Sequence, residues 1–186
     1  MKEVLSLQST RTIIRPIQPG DCAEVFVYRS DKEANRFQSW VPDSVEEVEQ
    51  HFFREAITFN SPGTWFQLVI LDRTSNAILG DIGVHFVSGN ENLQCELGIT
   101  LSKQQQGKGY AEEALRVVID HLLLDLGKHR ITASIDPANL PSLRLFERLG
   151  FRKEAHFVES LFIDGEWVDD VIYGLLRREW NIGTEE

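Results

Sequence analysis

Three stretches between residues 64 and 101 restrict this chain more than anything else in it. "TWFQLVILD" (64–72), "ILGDIGVHFVS" (78–88) and "LQCELGITL" (93–101) are alternating or continuously apolar, the signature of strands. Short polar turns join them. A parallel connection needs a crossover of about a dozen residues or more, so the three form an antiparallel meander. Around it the pattern changes. "RTIIRPI" (11–17) alternates as a first strand, and Pro19, Gly20 and Asp21 start a turn and a helix. "DSVEEVEQHFFREAI" (43–57) carries Asp43 or Ser44 as an N-cap, acids in its first turn, and Val45, Val48, Phe52 and Ile57 at helical spacing.

Beyond the meander, Ala111, Ala114, Leu115, Val118 and Leu122 make one apolar face of a helix expected over residues 110–126. "RITASID" (130–136) is a fifth strand. "PSLRLFERLG" (141–150) is a short helix with proline in its first turn and glycine after its end. Asp164-Gly165 then sits between two alternating segments as a hairpin turn. Strand, helices, meander, strand, helix and hairpin spell an α+β (mixed α/β) chain with a mostly antiparallel mixed sheet flanked by helices. At 186 residues, without repeat or linker, it is expected to be one domain over residues 1–186.

A formal net charge of −10 disfavours nucleic acid as a partner. It suits a cationic acceptor such as an amine, or simply a solvated acidic surface. Cys22 and Cys95 read as two buried thiols in a reducing compartment. "MKEVLSLQSTRTIIRP" lacks the apolar core of a signal peptide, and Asp120, His121 and Asp125 interrupt the most apolar helical run, so a cytoplasmic, membrane-free protein is expected. The five histidines lack metal-ligand spacing, and no metal is expected.

One stretch breaks its local rules. "QQQGKGYAEEAL" (104–115) puts Gly107 and Gly109 where a helix must start, although glycine is a poor helix former. A helix start leaves backbone N–H groups without partners at the positive end of its dipole, and glycines there let a phosphate approach. Lys108 adds positive charge. A P-loop would need Ser or Thr after Gly-Lys, and Gly109 stands there; a dinucleotide fingerprint would need a third glycine, and Glu112 stands there. Alone, the loop reads equally as a plain helix entry.

A second motif, "DPANLPSLRLFERLGF" (136–151), follows the fifth strand. Together the two resemble the GNAT superfamily of N-acetyltransferases, where Q/R-x-x-G-x-G/A opens a helix under the pyrophosphate of acetyl-CoA and a later N-x-x-S precedes a short helix ending in L-G-F. "RTIIRPIQPGD", "RFQSW", "ELGITL" and "FVESLFIDGEWVDDVIYGLLRREW" resemble the opening strand, acceptor-side loop, fourth strand and closing hairpin of the branch typified by ribosomal-protein-alanine N-acetyltransferases.

The resemblance implies a splay between the fourth and fifth strands, with pantetheine lying in it as an added strand. Leu97, Gly98, Ile99, Thr100 and Leu101 would contact it, Ile99 and Leu101 most closely. Gln104 opens the phosphate motif, and amides of Gln105, Gln106, Gly107, Lys108, Gly109 and Tyr110 would hold the pyrophosphate. Asn139 would orient the reacting end and Ser142 would hydrogen-bond the departing sulfur; equally, the two are a turn residue and a helix-start hydroxyl. Glu96 or Glu159 would serve as base, though both read also as solvated strand acids. Trp40 would line the acceptor mouth or sit in the core. Many relatives carry a tyrosine acid where this chain has Phe146.

The implied activity is direct acetyl transfer from acetyl-CoA to a primary amine, either a protein N-terminus or a small molecule. Two alternatives stay open: a CoA-binding sensor without turnover, and a nucleotide-binding domain of another fold. A homodimer is compatible with the resemblance.

Overall fold

The computed structural model describes residues 5–54, 58–163 and 165–180; Ile57 and Asp164 of the sequence reading lie outside them. Eight strands form one sheet. They are β1 (Leu7–Gln8), β2 (Thr12–Pro16), β3 (Thr64–Asp72), β4 (Ile78–Phe86), β5 (Gln94–Leu101), β6 (Arg130–Ile135), β7 (Arg152–Ile163) and β8 (Glu166–Leu176). Their order is β1-β2-β3-β4-β5-β6-β8-β7, and the β5–β6 pair alone is parallel. The meander is therefore antiparallel as expected. The two-residue β1 carries no periodicity and was not foreseen, so the expected fourth and fifth strands are β5 and β6 here.

Helices α1 (Cys22–Arg29) and α2 (Val45–Phe53) cover one face of the sheet. On the other face pack α3 (Tyr110–Asp120) and α4 (Leu140–Arg148). Covering on both faces explains why β3 reads as a continuous apolar run. Leu68 and Ile70 face the larger core, while Val69 and Leu71 face α1 and α2. Ser44 is the residue that caps α2, its hydroxyl accepting from the Glu47 N–H at 3.1 Å. The helix expected over residues 110–126 is there, but after Asp120 it widens into a π-type turn over His121–Asp125. Cys22 and Cys95 are free and buried.

The α1–α2 layer is fixed by a buried polar hub. Asp81 of β4, fully buried, accepts from the Tyr28 hydroxyl, from the Arg29 guanidinium and from the Gln67 amide. Asn35 holds the following loop by donating to the Tyr28 carbonyl at 2.7 Å. That loop forms one rim of the cleft described below, so the hub sets the shape of the rim. Asp81→Ala strands a buried guanidinium and is expected to lower unfolding free energy by about 3–5 kcal/mol in denaturant titration. A loss below about 1 kcal/mol would mean that water already serves Arg29.

Candidate active site

β5 and β6 pair through only three residue pairs: Gln94 with Arg130, Cys95 with Ile131, and Glu96 with Thr132. β6 continues against β8 as far as Ile135 and Val171, while β5 continues against β4 as far as Leu101 and Gly80. Between them the sheet opens. The expected splay is there, and it leaves one backbone edge of β5 without a strand partner. A cleft of about 1040 Å³ lies along it. Leu97, Gly98, Ile99, Thr100 and Leu101 all line this cleft. A Cβ built on Gly98 would meet nothing within 4 Å, so the floor is bare at its centre. The Thr100 hydroxyl is buried with no partner among the described residues.

At the C-terminal end of β5 the glycines take the conformation that excuses their presence. Gly107 has φ of 71° and Gly109 has φ of 82°, the left-handed region where a side chain is strained. Gly109 is the N-cap of α3 and offers no side-chain acceptor, so the first-turn amides of Tyr110, Ala111 and Glu112 point out of the helix uncapped. Arg11 fastens the loop from below. It donates to the Lys108 carbonyl at 3.1 Å, pairs with Glu113 at 2.6 Å, and lies 4.6 Å over the Tyr110 ring.

Acids in this first turn would repel an anion, yet both are neutralised. Glu112 meets Arg116 at 3.0 Å and Arg148 at 2.9 Å. Arg148 foremost holds the Glu112 carboxyl below its usual range. Burial pushes the Glu113 carboxyl up, but hydrogen bonds from Ser9 and Arg11 outweigh it and hold it down. Lys103 and Arg144 also line this end of the cleft. Lys103 is paired with Glu33 at 3.3 Å, and the arrangement has the chemistry of an anion cradle: backbone donors at a helix tip beside Arg144 and Arg148. Of the motif residues, Gln106, Gly107 and Gly109 line the cleft. Gln104, Gln105, Lys108 and Tyr110 are not in its lining. The Lys108 ammonium turns to Gln105 at 3.0 Å, and the Tyr110 ring lies against the core under Arg11. Any contact these four make to a bound anion would come from their backbone.

Asn139 and Ser142 both line the middle of the cleft. The local reading of Asn139 is seen directly: its carbonyl oxygen caps α4 by accepting from the Ser142 N–H at 3.3 Å, which leaves its NH₂ group without a role in the cap. The Ser142 hydroxyl has no protein partner among the described residues. Phe146 is buried edge-on against Phe151, with ring centroids 5.0 Å apart. None of the three tyrosines is in the cleft's lining: Tyr28 donates to Asp81, Tyr173 to Glu147, and Tyr110 lies under Arg11. No phenol stands ready as an acid.

The opposite end of the cleft is acidic. Glu96 lies half-buried at the last pair before the splay, its carboxylate 3.9 Å from His85 Nδ1. Burial pushes the Glu96 carboxyl above its ordinary range; His85 pulls it back and Asp170 pushes it further. Asp170 is itself buried and accepts from the Ser134 hydroxyl at 2.8 Å. Glu159 stands apart. It is exposed on a bulged stretch of β7, at φ of 47°, and outside the cleft's lining. Alternation along the strand fails at such a bulge, so its face could not be read from sequence. Trp40 also leaves the main cleft. Its ring stacks on His51 at 3.9 Å and its indole N–H donates to Glu47, beside a separate pocket of about 310 Å³. The tryptophan lining the main cleft is Trp65, which the sequence reading did not single out. Its cross-strand register with His85 is the signal that identifies it.

Comparison with known proteins agrees with this geometry. Residues 11–152 match the family model described as an acetyltransferase (GNAT) domain. An uncharacterised N-acetyltransferase of Bacillus subtilis is 27% identical over 95% of this chain and 100% of its own length. The ribosomal protein uS5-alanine N-acetyltransferase of Escherichia coli is 34% identical over 67% of this chain and 64% of its own. Among solved structures, a GNAT-family acetyltransferase from Bacillus anthracis superposes with a TM-score of 0.84 at 24% identity, covering 94% of this chain and 100% of that one. Spermidine N-acetyltransferase from Vibrio cholerae, solved with CoA and spermine, gives 0.80 at 20% identity, over 92% and 98% of the two chains.

The cradle makes a separable prediction. Gly107→Ala meets no neighbour within 4 Å, so only its backbone conformation is penalised, by about 1–2 kcal/mol. Gly109→Trp carries the same backbone penalty and adds an indole at the helix tip, its Cβ 3.3 Å from the Arg11 guanidinium that holds the loop. Calorimetry is expected to find coenzyme A binding weakened at least tenfold by Gly109→Trp while thermal unfolding stays cooperative. Unchanged affinity would remove the cradle from the site.

Proposed function

From the premise that the chain belongs to the GNAT family of acetyltransferases, and is an acyltransferase of the N-acetyltransferase type, we propose that residues 1–186 act as one domain that acetylates a primary amine in this cleft. The observation that carries the reading is the end of β5–β6 pairing at Glu96 and Thr132, opposite the glycine cradle. The residues present fit acetyl-CoA. The free edge of residues 97–101 offers backbone partners to a pantetheine amide chain, and the uncapped amides at Gly109 and the first turn of α3 suit its pyrophosphate. When bound, acetyl-CoA supplies an electrophilic thioester carbonyl and a thiolate leaving group.

The protein's share is positioning and proton handling. The Asn139 NH₂ orients the reacting end, and the Ser142 hydroxyl donates to the departing sulfur. With Phe146 in place of a phenol, the second proton, shed by the nitrogen as the amide forms, reaches the sulfur through water held by Ser142. At the acidic end, the Glu96 carboxylate attracts the ammonium and takes its proton, freeing the nitrogen lone pair for attack. A carboxyl with a raised pKa is the better base here, because the proton-transfer gap to an ammonium is smaller. The acceptor is a primary amine at the tip of a chain narrow enough to reach Glu96. Likeness to the ribosomal protein uS5-alanine enzyme supports a protein N-terminus as that amine. No finding favours a CoA-binding sensor without turnover, and the base-like setting of Glu96 speaks for turnover.

Thiol release from acetyl-CoA, measured across N-terminal peptides and small amines, tests the activity. Glu96→Gln tests the base. At neutral pH its rate is expected to fall about 10²-fold, with partial recovery as rising pH deprotonates the acceptor unaided. A drop that is uniform with pH would remove Glu96 as the base. Stability moves the other way. A carboxyl raised in the folded state binds its proton more tightly there than when unfolded. Its contribution to stability therefore falls as pH climbs from the ordinary carboxylate value through the raised one. Glu96→Gln is thus expected to unfold at neutral pH no more easily than the parent.

A further inference from the structure

A row of side chains crosses the sheet in register: Trp65 pairs with His85, and His85 with Glu96. All three belong to the sheet face that carries α1 and α2, because side chains directly opposite in a ladder share a face. The next row on that face is nearly bare, with Gln67 opposite Gly83 and Gly83 opposite Gly98. The indole of Trp65 lies down into this gap. A Cβ built on Gly83 would sit 3.1 Å from both Cε3 and Cζ3 of the ring. Its other support is His85, stacked at 5.0 Å with planes 15° apart. The ring is thus held flat in the cleft by a missing side chain and an imidazole, and still remains 48% exposed.

Its surroundings say what the exposed face is for. Trp40 and Trp180 each have an arginine guanidinium within 6 Å of the ring centre, at 5.7 and 5.9 Å. Trp65 has no such cation among the described residues. It lies instead in the acidic half of the cleft, one strand from His85 and two from Glu96, with Asp170 on the far side of the splay. An indole face without its own cation, in the half of the cleft that also holds Glu96 and Asp170, attracts an ammonium from outside.

Resting on the amine-transfer reading above, we propose that Trp65 is the specificity-determining platform for the acceptor: an ammonium on a slim, unbranched chain passes over the indole held down at Gly83 and His85 and arrives at Glu96. A peptide N-terminus and an aliphatic polyamine share this chemistry. The bare Gly98, around which a Cβ would meet nothing within 4 Å, leaves the path from the indole to Glu96 open. Gly83 is part of the device, because any side chain there lifts the ring.

Steady-state kinetics with spermidine and with an alanine-initiated hexapeptide, each against acetyl-CoA, test it and separate the two sources. Trp65→Ala is expected to raise KM for the accepted amine at least tenfold while KM for acetyl-CoA stays within twofold, and Trp65→Phe restores part of the loss. Gly83→Ala keeps the indole but displaces it, and is expected to raise KM for the same amine several-fold. An unchanged acceptor KM in Trp65→Ala, or an equal rise in both KM values, overturns the platform while leaving the transfer reading intact. If neither amine supports turnover in the parent protein, tryptophan fluorescence of the CoA-loaded protein decides. Quenching by either amine that disappears in Trp65→Phe sustains the platform, and identical titrations in the two proteins overturn it.

Discussion

The structure turns on a parallel ladder that stops after three residue pairs. Had β5 and β6 stayed paired beyond Glu96 and Thr132, the sheet would be continuous and the cleft would not exist. An exposed backbone edge inside a sheet is a liability, since its N–H and C=O groups seek partners. Here that edge lines the cleft, and under the proposed reading it is where an amide-rich ligand finds its partners. The neighbouring cradle follows the same logic. Gly107 and Gly109 adopt left-handed conformations that weaken the start of α3, and the buried face of Ala114, Leu115, Val118 and Ile119 offsets the loss by packing.

Charge is divided along the cleft to match. At the cradle end, both first-turn acids of α3 are held by arginines, Lys103 is paired with Glu33, and Arg144 adds positive charge. At the other end Glu96 and Asp170 make a negative wall. A chain with net charge −10 can therefore hold a polyphosphate at one end and draw a cation in at the other. The buried hub at Asp81 links this division to the fold, because it anchors α1 and the loop that closes the rim over β5. Among the described residues no helix is long and apolar enough to cross a membrane, and no cluster of His, Cys, Asp and Glu is built to hold a metal.

What could be read from the sequence follows from how local each signal is. β3 was legible to its end residues because a mostly apolar run lies between Pro62-Gly63 and a polar turn. The cradle was legible because its glycines contradict helix propensity, and contradictions of that kind mark sites. Long-range register was not legible. Nothing in "TWFQLVILD" says that Trp65 lies opposite His85, so the sequence reading weighed only Trp40, as acceptor mouth or core, and Trp40 packs with the α1–α2 core. Glu159 lies outside the cleft's lining for a related reason, since bulges in β7 reset which face its side chains take. The role of Asn139 was half legible: its cap to Ser142 is local, while its place in the cleft depends on how α4 meets the splay.

Hydrogen–deuterium exchange with and without coenzyme A addresses the central claim at the backbone atoms that carry it. Bound ligand is expected to slow exchange in residues 97–101 and 107–112 together, because one molecule spans the free edge of β5 and the tip of α3. Slowing confined to other segments, or none at saturating coenzyme A, would contradict the account.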